Sequence, residues 1–149
     1  MNIGFIGLGV MGRPMAENLI DAGHALVLNR IKPVSQHLLD KGGKAADTPQ
    51  AVAQSADIVI LMLPDTPDVE AVLFGKDGVA EGLSKGKLVI DMSSISPVAT
   101  KDFAARIEAL GCDYLDAPVS GGEVGARSAS LTIMIGGRQA AFDRARPLF

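Results

Sequence analysis

The chain has 149 residues, enough for one domain with a sizeable core, and 48% of them are hydrophobic, as in globular rather than disordered proteins. Net charge is −3 and Lys and Arg form no block, so nucleic acid is not an expected partner. Cys112 is the single cysteine, which excludes an intrachain disulfide and a cysteine-based zinc cluster and fits a reducing cytoplasmic setting.

No uninterrupted apolar run approaches the ~18 residues of a membrane-spanning helix. The N-terminus lacks a basic region, and glycines break its apolar run, so it does not read as a signal peptide. His24 and His37 show no metal-ligand spacing, and no metal site is expected. Cys112 reads as a packed side chain near a strand start.

Residues 2–6 read as the first strand. Gly7-Leu8-Gly9-Val10-Met11-Gly12 follows, and Met11, Met15, Leu19 and Ile20 then recur at helical spacing up to a stop at Gly23. Pro14 suits a first helical turn, which needs no intrahelical N–H donors. Residues 25–28 form a second strand, 33–41 a helix, and 45–46 a short third strand. Thr48-Pro49 has the pattern of a cap and first helical residue, with a helix to about Ser55. The continuous apolar run over 57–63 predicts a buried strand. A helix over 69–74 and a glycine-rich connection follow. Residues 88–91 form the fifth strand, and Ser96-Pro97 opens a helix running toward Gly111. Residues 114–116 are a sixth strand and 130–135 a seventh. A final helical pattern starts near Gln139. Phe142, Ala145 and Phe149 would share one of its faces. That mid-pattern ending leads us to expect an N-terminal piece of a longer protein.

Strands alternating with helices predict an α/β fold, a doubly wound and mostly parallel sheet of the Rossmann type. In such sheets, ligands sit beyond the C-terminal strand ends. Those ends here carry Gly7-Leu8-Gly9, Asn29-Arg30, Leu63-Pro64, Ser93-Ser94 and Ser120-Gly121-Gly122.

Glycines at 7, 9 and 12 between a strand and a helix match a dinucleotide site. Gly7 permits the tight turn, Gly9 the approach of a pyrophosphate, and Gly12 close packing of helix on strand. Leu8, Val10 and Met11 complete the turn, and the helix N-terminus offers unpaired N–H groups. About 20 residues on, where an acid would bind a ribose 2′-hydroxyl, stand Asn29 and Arg30. A guanidinium suits a 2′-phosphate, which favours NADP(H), with NAD(H) as the alternative. Arg30 stacking on adenine or facing solvent is the plainer reading. Leu63 and Pro64 either pack against the cofactor or simply end a strand. Asp68 either meets a ribose or, preferably, caps the helix near Val69. Ser93 and Ser94 are placed to donate to a nicotinamide ribose or a substrate carboxylate. Ser120 offers a hydroxyl, and Gly121 and Gly122 free successive N–H groups for a small carboxylate.

Taken together, the chain resembles the N-terminal half of the β-hydroxyacid dehydrogenases, the 3-hydroxyisobutyrate dehydrogenase-like reductases. The matching residues are Gly7-Leu8-Gly9-Val10-Met11-Gly12, Met62-Leu63-Pro64, Asp91-Met92-Ser93-Ser94-Ile95-Ser96-Pro97, Asp116-Ala117-Pro118-Val119-Ser120-Gly121-Gly122 and Met134-Ile135-Gly136-Gly137. The resemblance implies hydride transfer between a nicotinamide cofactor and a short 3-hydroxy acid or its semialdehyde. Tartronate semialdehyde is the first choice of substrate, with 3-hydroxyisobutyrate and succinic semialdehyde as alternatives; a non-catalytic nucleotide-binding module is the rival of another class. It also implies that Ser120, Gly121 and Gly122 hold the substrate carboxylate and that Leu63, Pro64 and Ser94 contact the cofactor. The family's catalytic lysine lies in a following helical domain, so no catalytic residue is assigned within 1–149. A homo-oligomer is expected of the intact protein. Ala129 departs from the family's usual glycine before the seventh strand, which puts the geometry of that turn in question.

Overall fold

Alternate side chains along each strand point to opposite faces, so a sheet covered on both sides needs two cores. The computed structural model describes residues 1–149 and contains both. The strands β1 (Asn2–Ile6), β2 (Ala25–Asn29), β3 (Lys44–Ala46), β4 (Ile58–Leu61), β5 (Leu88–Asp91) and β6 (Asp113–Asp116) form one sheet in the order β3-β2-β1-β4-β5-β6. Every pairing in it is parallel. Winding reverses between β1 and β4, which places the topological switch beside the glycine turn.

One face carries Ile3, Phe5, Leu28, Ile58, Ile60 and Ile90, packed by Met15 and Ala16 of α1 (Gly12–Asp21) and Leu38 of α2 (Gln36–Asp40). Ala126 of α7 (Gly122–Arg127) and Ala141 and Ala145 of α8 (Gln139–Ala145) complete it. The other face carries Ile6, Val59, Leu61, Val89 and Tyr114. It is covered by α3 (Pro49–Ser55), α4 (Thr66–Phe74), α5 (Val79–Gly82) and α6 (Pro97–Glu108), which contribute Val52, Val69, Val79 and Phe103. No helix is long and apolar enough to cross a membrane.

Thr48 and Ser96 cap α3 and α6 as their sequences predict, accepting from Ala51 N–H at 3.0 Å and Ala99 N–H at 3.4 Å. Cys112 is buried at the start of β6, with its thiol 3.2 Å from the Ser84 carbonyl oxygen. Several elements differ from the sequence reading. α4 starts at Thr66 because Asp65, not Asp68, is its cap, accepting from Thr66 N–H at 2.7 Å. Asp68 lies in the first turn, where a carboxylate favourably meets the helix dipole. α5 replaces part of the expected glycine-rich connection. The predicted helix over 33–41 begins as a 3₁₀ turn, Pro33–Ser35, before α2.

The largest difference follows β6. The expected seventh strand shrinks to β8 (Thr132–Ile133), which pairs antiparallel with β7 (Val119–Ser120) outside the main sheet. Helix α7 fills the space between them; it is too short to leave a periodic signal. Ala129, in the turn before β8, adopts φ 54°, a left-handed conformation that glycine takes more readily. At the end of the chain the expected common face divides. Ala145 is fully buried, whereas the Phe142 ring stacks on Phe149 at 6.3 Å after a 3₁₀ turn containing Pro147.

A left-handed conformation costs an alanine about 1–2 kcal/mol, and glycine's extra freedom in the unfolded chain offsets about 0.4–1 kcal/mol of that. Ala129→Gly should therefore stabilise the fold by about 1 kcal/mol. Urea unfolding checks this; a destabilised variant would contradict the assigned conformation.

Candidate functional site

The glycine turn joins β1 to α1. Gly7 has φ +106°, and a Cβ there would collide with the Met62 carbonyl at the end of β4. A Cβ on Gly12 would collide with the Gly7 carbonyl. The turn is thus pressed between two strands and its own helix. A Cβ on Gly9 would meet nothing within 4 Å, so that residue faces open space. The N–H groups of Gly9, Val10 and Met11 donate to no group in the chain. α1 receives no side-chain cap from Met11 and has no acid in its first turn. Unpaired donors, a positive dipole end and open space fit a pyrophosphate.

Gly7, Leu8, Gly9, Asn29, Arg30 and Leu63 line one cleft of about 370 Å³. Lys32, Asp47, Thr48, Lys76 and Asp77 also line it. Lys76 and Asp77 come from the turn between α4 and α5, and no local signal placed them at the site. Arg30 has φ 63°, a strained conformation that carries its side chain on the rim just past β2. Neither Arg30, Lys32 nor Lys76 forms an ion pair. Asn29 is buried, and its amide donates to the Ala46 carbonyl at 2.9 Å, so its donor holds β3 beside β2.

Ser93 and Ser94 part company. Ser94 is exposed at the C-terminal edge of the sheet. Ser93 is fully buried, and its hydroxyl accepts from Leu63 N–H at 2.8 Å. It therefore faces inward and holds the turn after β4. Its own N–H donates to Asp91 Oδ1 at 3.0 Å, and the Tyr114 hydroxyl donates to Asp91 Oδ2 at 3.0 Å. Burial pushes the Asp91 carboxyl above its usual range, partly offset by hydrogen bonds from Ser93 and Tyr114. Burial also raises Tyr114, as does the Asp91 charge. Asp116, register partner of Asp91 on β6, is raised by burial and then by Asp91.

Pro64 is exposed beyond Leu63, and Asp68 is exposed on α4, outside the cleft lining. Val10 is exposed on the glycine turn, whereas Met11 packs against the core. Ser120, Gly121 and Gly122 are exposed where β7 enters α7. Gly121 has φ 137° and Gly122 φ 61°, and the Gly121 N–H has no partner within the chain. Two successive positive φ values turn the backbone away from β7 and leave amide donors facing outward.

The sheet order, the switch point and the open glycine turn define a dinucleotide-binding domain of the Rossmann type. Residues 2–149 match the family model of the NAD-binding domain of 6-phosphogluconate dehydrogenase, and the chain belongs to this family, within the β-hydroxyacid dehydrogenases. It is 54% identical over 149 residues to the 2-hydroxy-3-oxopropionate reductase of Escherichia coli (strain K12), covering 100% of this chain and 51% of the relative. A solved 3-hydroxyisobutyrate dehydrogenase of Mycobacterium tuberculosis, with L-serine, superposes at TM-score 0.90 and 36% identity, over 99% of this chain and 50% of that one. Psf3 in complex with NADP+ and 2-OPP superposes at TM-score 0.92 and 30% identity, over 98% and 52%. The chain spans about half the length of these relatives.

The raised Asp91 pKa has a stability consequence. The folded state favours the protonated carboxyl, so the contribution of Asp91 to stability is fully present below the ordinary carboxylate pKa, near 4, and is lost as pH rises through the raised folded value. Asp91→Asn keeps an acceptor for Ser93 and removes the charge. Its unfolding midpoint in urea should depend less on pH across that window than the wild type's. Parallel pH profiles would contradict the assignment.

Proposed function

We propose that this chain is the cofactor-binding half of an NADP(H)-dependent reductase of small semialdehydes, with tartronate semialdehyde to glycerate as the leading reaction. The 54% identity to a 2-hydroxy-3-oxopropionate reductase supports that substrate. Likeness to a 3-hydroxyisobutyrate dehydrogenase keeps a neighbouring 3-hydroxy acid as the alternative. The observation that carries the cofactor choice is Arg30, strained, unpaired and on the cleft rim with Lys32 and Lys76.

In this reading the Gly9–Met11 amides hold the pyrophosphate and Arg30 holds the 2′-phosphate with its planar fork of donors. Leu63, Pro64 and Ser94 contact the cofactor. Ser93 acts one step removed, by holding the Leu63 backbone. Asn29 shapes the β2 end from which Arg30 projects, and Asp68 stays at the periphery. Ser120 and the Gly121 and Gly122 amides receive the substrate carboxylate. The nicotinamide, when bound, supplies or accepts the hydride at the carbon so presented. The acid that protonates the developing alkoxide comes from outside residues 1–149, in a helical domain of the intact protein; no lysine in this chain stands in the family's catalytic motif.

Arg30→Ala should weaken NADPH binding about tenfold to a hundredfold, the worth of a charge-assisted hydrogen bond, and leave NADH binding within about twofold. Calorimetric titration of both nucleotides checks this. Equal losses for the two would contradict 2′-phosphate recognition by Arg30.

A further inference from the structure

Residues 118–135 hold the exposed Ser120-Gly121-Gly122 corner, yet few polar contacts attach them to the sheet domain. β7 and β8 pair only with each other. The remaining backbone hydrogen bonds of the segment, such as Ser130 N–H to the Gly125 carbonyl at 2.9 Å and Met134 N–H to the Pro118 carbonyl at 2.9 Å, are also internal. Its one ion pair, Arg127 to Glu123, is internal as well. The segment leaves the sheet after Ala117, whose N–H donates to the Asp91 carbonyl at 2.7 Å, and returns at Gly136, which bridges Asp116.

A single hydrogen bond joins the segment to the rest of the chain. Asn18 Nδ2 on α1 donates to the Ala126 carbonyl of α7 at 2.8 Å. Beyond that bond the attachment is apolar: Ala126 is buried in the core, and Val119, Leu131, Ile133 and Ile135 pack against it. An apolar cavity of about 260 Å³ lies along this seam, with Phe5, Met15 and Ile60 on the body side and Ala126, Leu131 and Ile133 on the other.

We infer that residues 118–135 are a semi-independent module hinged at Ala117 and Gly136, and that Asn18 is the positioning residue that latches it to the cofactor helix. α1 begins at the pyrophosphate turn and α7 begins at the Ser120-Gly121-Gly122 corner. A bond between the two helices fixes the distance between the two binding corners. That functional consequence rests on the carboxylate reading above; the latch itself does not.

Hydrogen–deuterium exchange on this chain tests the latch, with and without NADP+. In Asn18→Ala and in the near-isosteric Asn18→Asp, which lacks the donor, amides of 118–135 should exchange about tenfold faster. Peptides from β1, β4 and β5 should be unchanged, and NADP+ affinity should stay within about twofold. Unchanged exchange in 118–135, or equal acceleration throughout the domain, overturns the proposal. In the full-length protein the same variants should raise KM for the semialdehyde about tenfold while the NADPH KM stays constant. A rise confined to the NADPH KM overturns the positioning role. If Ser120→Ala leaves the semialdehyde KM unchanged, the carboxylate reading fails by itself, and the exchange result still decides the latch.

Discussion

The approach of Gly12 to the Gly7 carbonyl is the constraint on which the rest of this structure depends. No other residue type fits at either position without moving backbone, because β4 closes the turn from its far side through Met62. That packing starts α1 immediately past the end of β1. It also leaves the first amides of the turn with no acceptor of their own. The free donors are therefore a product of the packing that makes the fold.

Strand polarity spreads this consequence along one edge. All six strands run in the same direction, so their C-terminal ends lie together. Residues far apart in sequence, Gly9, Arg30, Leu63, Ser94 and Ser120, come to one side of the sheet. Beneath them a buried carboxylate does structural work. Asp91 gathers Ser93 and Tyr114, and Ser93 in turn holds the Leu63 amide. The cost of burying Asp91 is partly offset by these bonds, and the ends of β4, β5 and β6 are tied together in return. Asn29 does the same between β2 and β3. The C-terminal edge of the sheet is thus braced by polar side chains, of which Asn29 also lines the cleft whereas Asp91, Ser93 and Tyr114 do not.

Most of the fold was legible because its signals are local. Glycine spacing marks the first turn, the apolar run marks β4, and hydroxyl-proline pairs mark α3 and α6. The same pairing logic, applied to Thr66-Pro67, places the start of α4 within one residue of its true position after the Asp65 cap. Other features depend on tertiary contacts and leave no local trace. A serine at a strand end can face either way, so the inward turn of Ser93 was not readable beside the exposed Ser94. Lys76 reaches the cleft because the turn between α4 and α5 packs against α3, where Gln50 N–H donates to the Asp77 carbonyl at 2.8 Å. Helix α7 has too few residues for a period, and its glycines suggested a loop. The left-handed Ala129 is set by its turn against the residue's own preference, which sequence alone does not reveal.

The unpaired amides of the glycine turn are the proposed anchor of the dinucleotide. Amide chemical shifts of this chain, followed by NMR during titration with NADP+, test it most directly. The largest perturbations should fall on Gly9, Val10, Met11 and Gly12, saturating together with those around Arg30. Saturable binding that leaves the Gly9–Gly12 amides unmoved, with its shifts gathered at another edge of the sheet, would contradict it.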